Sequence, residues 1–160
     1  YVKNINKIKN NQEIKNSVFS LLSYRARSKS ELLLRLRKKY RLNDIKDVIR
    51  ELELKGYIDD AEFTEMYASS LIKNKLFSRN AVKHKLRIHD ISNEILDPIL
   101  DTLYSQNEEK KLIKKIITKK LRFKTKIGKT EIGKLTIYLK RKGFNWNDIK
   151  VVLIESNLSL

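Results

Sequence analysis

One apolar pattern recurs three times along this chain and restricts what it can fold into. Leu36, Leu86 and Leu139 each follow an apolar residue four positions earlier, namely Leu32, Val82 and Leu135. Each is followed 9, 9 and 10 positions later by an isoleucine: Ile45, Ile95 and Ile149. Val48/Ile49, Pro98/Ile99 and Val152/Leu153 come next, and Leu21 and Leu71 both lie 15 positions before their anchors. Recurrence at three and four residues is the mark of an apolar helix face. Self-similarity at a period of roughly 50 is the mark of a tandem array, in which each unit is stabilised by its neighbours. The expected fold is therefore all-α, an elongated tandem array of three three-helix repeats. The spacing divides the chain into a lead-in (1–15) and repeats at 16–57, 58–105 and 106–156.

Local signals place the helix ends. The first helix is expected from about Gln12 to Tyr24, after a frayed or extended lead-in, because Asn is a weak helix former. Ser28 with Glu31 reads as a capping box, and Asn43, Ser78, Ser92 and Asn145 read as further N-caps. Pro98 predicts a kinked or late-starting helix. Residues 157–160 are expected to fray. The sharpest punctuation is the stretch Glu51–Tyr67. Gly56 supplies a left-handed helix end, Tyr57 and Ile58 fold back, and Asp59 with Glu62 opens the next helix. Phe63, Tyr67 and Leu71 then start a new apolar stripe.

The chain has no Cys, which excludes disulfides, thiolate zinc sites and a Cys nucleophile. It contains no apolar run of membrane-span length, so a soluble, cytoplasmic chain with no membrane partner is expected. Catalytic constellations are absent. His84 and His89 are five apart, do not share a helix face, and read as surface histidines. Asp59, Asp60 and Glu62 suggest a metal or acid–base site, but capping accounts for two of the three. Gly128-Lys129-Thr130 lacks the earlier glycine of a phosphate loop. An enzyme, a metal and a cofactor are all unsupported by these residues.

The net charge of +17 is unevenly spread. Residues 1–15 carry +3, residues 16–57 carry +6, residues 58–104 carry −2 and residues 105–160 carry +10. Basic ends call for a polyanion. Two clusters are candidate DNA contacts: Arg25, Arg27, Arg35, Arg37, Lys38 and Lys39 in the first repeat, and Lys111, Lys114, Lys115, Lys119, Lys120, Arg122, Lys124 and Lys126 in the third. Nearby Tyr24, Tyr40, Phe123 and Tyr138 can stack bases of a single strand. The competing reading makes Tyr138 core and Phe123 a helix cap.

Gly56-Tyr57-Ile58-Asp59-Asp60, followed by Phe63 and Tyr67, resembles the signature of the RecX family of RecA recombinase modulators. Leu21–Leu36, with a basic turn, a Ser-x-x-Glu cap and a Leu-rich helix, is similar to that family's first repeat. The family pattern places an Arg where this chain has Leu71 and Ile72, and a Gly where it has Lys75-Leu76-Phe77. The resemblance implies three tandem three-helix repeats and a non-enzymatic regulator, expected to be monomeric. Its implied partners are the RecA filament and single-stranded DNA, with double-stranded DNA as a further polyanion, and its implied effect is inhibition of ATPase, strand exchange and co-protease activities. The alternative is a stand-alone basic helical nucleic-acid-binding protein with no recombinase partner.

Overall fold

The structure, a computed structural model, describes residues 2–105, 107–124 and 127–158, with side chains from residue 6 onward. Its helices are α1 (Val2–Tyr24), α2 (Lys29–Leu36), α3 (Leu42–Leu54), α4 (Asp60–Ser70), α5 (Arg79–Leu86), α6 (Asn93–Leu103), α7 (Glu108–Leu121), α8 (Lys129–Arg141) and α9 (Trp146–Glu155). A π-helical turn, Leu71–Lys75, extends α4, and a 3-10 turn, Arg87–His89, follows α5. The described residues contain no strand.

Buried side chains gather in three clusters. Ile14, Val18, Leu32, Leu36, Ile45, Val48, Ile49, Leu52 and Ile58 join α1–α3. Phe63, Ala68, Val82, Leu86, Leu96 and Leu100 join α4–α6. Leu112, Ile113, Ile116, Ile117, Ile132, Leu135, Leu139, Phe144, Ile149, Val152 and Leu153 join α7–α9. Ile72 and Tyr104 pack against both the second and the third cluster. This arrangement is compatible with three three-helix units in a row, each helix contributing the single apolar face its sequence provides.

The caps follow their residue types. Ser28 accepts the Glu31 amide (3.2 Å), Ser78 the Ala81 amide (3.2 Å) and Asn145 the Asp148 amide (2.8 Å). Gly56 (φ 74°) closes α3, with its own amide donating to the Glu53 carbonyl and the Tyr57 amide to Leu52. Gly143 (φ 88°) closes α8 by the same pair of bonds, to Lys140 and Leu139. These six-to-one and five-to-two bonds satisfy the last carbonyls of each helix.

Several details differ from the sequence expectation. α1 runs back to Val2, so the lead-in is helical rather than frayed. Polar contacts to α3 hold it: Lys7–Asp47 (3.6 Å), Asn10 Nδ2 donating to Asp44 (2.9 Å) and Lys15–Glu51 (2.7 Å). Asn43 lies inside α3, whose N-cap is Arg41 without a side-chain bond. α6 starts at Asn93 and carries Pro98 within it, so its start is not deferred to the proline. In α6 the buried residues are Leu96 and Leu100, not Ile95. The third-helix anchor therefore follows at +10 in the second unit, as in the third. The cause is the 3-10 turn and Asp90 (φ 53°), which lengthen this turn by one residue relative to the first unit. Asn157 (φ 56°) closes α9, and Leu158 packs on the third cluster, so these two residues are ordered by the helix end rather than frayed. Residues 159 and 160 lie outside the described residues.

His89 is half-buried rather than a free surface histidine. Its ring lies 4.9 Å from Phe63 and 5.1 Å from Tyr67, centroid to centroid. Burial pushes its pKa below the ordinary value. The neutral ring is thus preferred in the folded state, so this contribution to stability is present above the unfolded pKa of about 6.5 and is lost as pH falls through the folded value. In His89→Phe the thermal midpoint should fall less between pH 8 and pH 5 than in the wild type. Equal falls would exclude His89 as the titrating group.

Candidate nucleic-acid interface and unit junctions

The signature residues build the junction between the first two units. Tyr57 turns its exposed ring edge-on to Phe19 at 5.1 Å, and Ile58 enters the first core. Asp59 caps α4, accepting the amides of Ala61 (2.7 Å) and Glu62 (3.1 Å). The return bond from Glu62 that would complete a capping box is not formed among the described residues, and Glu62 is exposed. Asp60 points the other way. It is buried, and its carboxylate accepts the Lys29 amide (2.8 Å) at the first turn of α2 in the preceding unit. Burial raises its pKa, against the Lys29 amide and ammonium, which lower it. Phe63 and Tyr67 stack at 5.6 Å on the second core and, with Leu34, Met66 and His89, line an apolar groove of about 710 Å³.

The second junction repeats this device. Glu109, on α7, accepts the Arg79 amide (3.0 Å) at the first turn of α5, and burial raises its pKa too. In both junctions a buried Ser caps the helix while a carboxylate from the next unit takes the adjacent amide. The second junction is further held by the Ser78 amide donating to the Lys142 carbonyl (3.2 Å) and by Tyr104, which packs on both cores and is fixed within the second unit by its hydroxyl donating to the Phe77 carbonyl (2.6 Å). The Lys142 ammonium donates to the Lys75 carbonyl and sits 4.5 Å from the Phe77 ring centre. Leu76 (φ 51°), within the Lys75–Phe77 loop where the resemblance places a glycine, adopts the left-handed conformation and packs on the third core. Only glycine takes that positive φ without a Cβ penalty.

Half of the first basic cluster is satisfied internally. Arg25 (2.6 Å), Arg35 (3.2 Å) and Arg27 all bond Glu31 Oε1. Arg27 is buried and also donates to the Leu21 carbonyl at 3.0 Å, so it is a structural arginine. Burial opposes ionisation of Glu31, but the guanidiniums of Arg25 and Arg27 prevail and hold its pKa below the ordinary carboxylate value. Arg37, Lys38 and Lys39 remain exposed without a carboxylate partner among the described residues, Lys39 lying 5.3 Å from the Tyr40 ring centre.

The third-unit cluster is more open. Lys111 pairs with Glu108 (3.2 Å) and Lys114 with Glu155 (2.9 Å). Lys115, Lys119, Lys120 and Arg122 are exposed and have no carboxylate partner among the described residues, and Lys124 approaches Glu131 only to 4.0 Å. Lys126 lies outside the described residues. Lys120 sits 4.3 Å from the Tyr138 ring centre, so that half-buried tyrosine has a covered face. Phe123 is 87% exposed and caps nothing. The sequence reading omitted Lys134, Lys140 and Lys142; the spacing of Lys134 four residues before Tyr138 is the signal that places it on the same helix face. No helix among the described residues is long and apolar enough to cross a membrane.

The fold and surface thus define an all-α chain whose last three helices, α7–α9, carry a strongly basic surface. No family model matches the chain. A Regulatory protein RecX from Clostridium tetani is 36% identical over 121 residues, covering 74% of this chain and 55% of that protein. A Regulatory protein RecX from Caldanaerobacter subterraneus subsp. tengcongensis is 26% identical over 143 residues, covering 89% of this chain and 70% of that protein. A crystal structure of RecX from Lactobacillus salivarius has the same fold, with a TM-score of 0.81 at 20% identity, covering 95% of this chain and 99% of that one. The chain is thus similar in sequence to regulatory RecX proteins and shares the fold of a RecX crystal structure. It spans about half the length of several of the curated relatives it matches.

Proposed function

We propose that this protein is a non-enzymatic regulator that binds a RecA recombinase filament on single-stranded DNA. It acts as a cytoplasmic monomer in DNA repair, recombination and the SOS response, lowering the filament's ATPase, strand-exchange and co-protease activities. The observation that carries the reading is the GYIDD junction in a chain similar to regulatory RecX proteins. We take 16–57, 58–105 and 106–156 as the units of the array. Stacked units offer a long surface whose curvature follows from the angle set at each junction. The charge pattern suits a filament of protein and nucleic acid: the basic third unit meets phosphates, and the slightly acidic middle unit meets protein.

The test is the ATPase rate of a preformed RecA filament on single-stranded DNA, titrated with this protein. The expected result is inhibition well below one protein per bound recombinase, persisting in the presence of excess competitor DNA. Inhibition abolished by competitor DNA, or none, would favour the stand-alone nucleic-acid-binding protein.

A further inference from the structure

We propose that Phe123, with Lys120, Lys124 and Lys134, forms a stacking and phosphate site for a single-stranded polynucleotide; this rests on the nucleic-acid part of the reading above. Isolated exposed apolar residues are common and carry no meaning alone. Phe123 differs in its surroundings. The turn after α7 is closed by the Lys124 amide donating to the Leu121 carbonyl at 2.9 Å, which projects a ring that is 87% exposed. The Arg122 guanidinium lies 5.2 Å from its ring centre. The next residue, Lys124, lines a cleft of about 220 Å³ together with Lys120, Lys134, Tyr138 and Glu131. Four cations thus stand around the ring and cleft against one carboxylate.

The other aromatic residues near basic side chains are differently placed. Tyr138 has Lys120 over its face, and Tyr40 is half-buried with its hydroxyl 3.0 Å from Ser17 Oγ. Tyr24 is 89% exposed, but the neighbouring Arg25 is committed to Glu31. A ring 87% exposed to solvent, beside cations that outnumber the one nearby carboxylate, is the combination that single strands use, with bases stacking on the aromatic face while phosphates meet the cations. Paired bases in a duplex have no free face to offer, so the ring selects single strands.

The experiment is fluorescence anisotropy of a labelled deoxythymidine 20-mer with the full chain, across a salt series. Phe123→Ala should bind about tenfold more weakly, within the range set by loss of one stacked base. Phe123→Tyr should restore binding, Tyr24→Ala should leave it unchanged, and a duplex of equal length should be insensitive to Phe123→Ala. Combined Lys120→Gln, Lys124→Gln and Lys134→Gln should lower the slope of log K against log salt by about 2, at roughly 0.7 per phosphate contact. Because Phe123 is exposed, circular dichroism should show the Ala variant folded. Wild-type binding with Phe123→Ala equally tight would overturn the stacking site and leave the nucleic-acid reading standing. No wild-type binding to either DNA would overturn both.

Discussion

Gly143→Ala should lower the stability of this protein by about 2–5 kcal/mol, from left-handed strain and overpacking together. Gly143 adopts φ 88°, where an L side chain carries a penalty of about 1–2 kcal/mol. An added Cβ would also stand 2.5 Å from Ser78 Oγ and 3.0 Å from Ala81 Cβ. Ser78 cannot yield freely, because it is buried and its hydroxyl caps α5 through the Ala81 amide. The end of α8 and the start of α5 would have to separate, and with them the second and third units. Gly56→Ala is the control. Its φ is 74°, but its Cβ would meet nothing within 4 Å, so only the left-handed penalty of about 1–2 kcal/mol applies. Urea unfolding of the two variants should therefore give clearly different midpoints. Equal losses would mean that the close approach at Gly143 relaxes without cost.

Asp60→Ala is expected to cost about 1–3 kcal/mol, the range for leaving a buried donor unsatisfied. The donor is the Lys29 amide, at the first turn of α2 and thirty-one residues away in the chain. Asp60→Asn should cost less than about 1 kcal/mol, because the amide oxygen still accepts. The sign of the pKa shift agrees. Burial raises the Asp60 pKa above its unfolded value, so the folded state favours the uncharged form. Its contribution is fully present below the unfolded value and is lost as pH rises through the folded one. A neutral isostere is therefore tolerated where truncation is not. Glu109→Ala should behave alike at the second junction, and the two losses should add, since they share no partner. A wild-type midpoint for Asp60→Ala would mean that the cross-unit bond contributes nothing.

The two aspartates of GYIDD show where sequence reading stops. Asp59 bonds the two amides just after it, which is a local event that residue type and position foretell. Asp60 bonds an amide in the previous unit, and nothing within a helical turn of it reports that partner. Arg27 illustrates the same limit. As part of a basic run it reads as a DNA contact, yet it is buried on Glu31 and the Leu21 carbonyl. Charge counted along a chain does not reveal which cations are neutralised in space. His89 lies near no partner in sequence, and only the packing of α4 brings Phe63 and Tyr67 to it.

By itself the sequence determined the all-α class, the apolar face of most helices, the caps at Ser28, Asp59, Ser78 and Asn145, and the reversal at Gly56. Each of these depends on groups within one or two helical turns, where backbone geometry leaves few choices. Tertiary structure decided which cations stay free, how each unit is clasped to the next, the one-residue shift in α6 and the helical state of residues 2–11. Those outcomes depend on contacts between residues tens of positions apart, where burial and competing partners, rather than local propensity, set the lowest free energy.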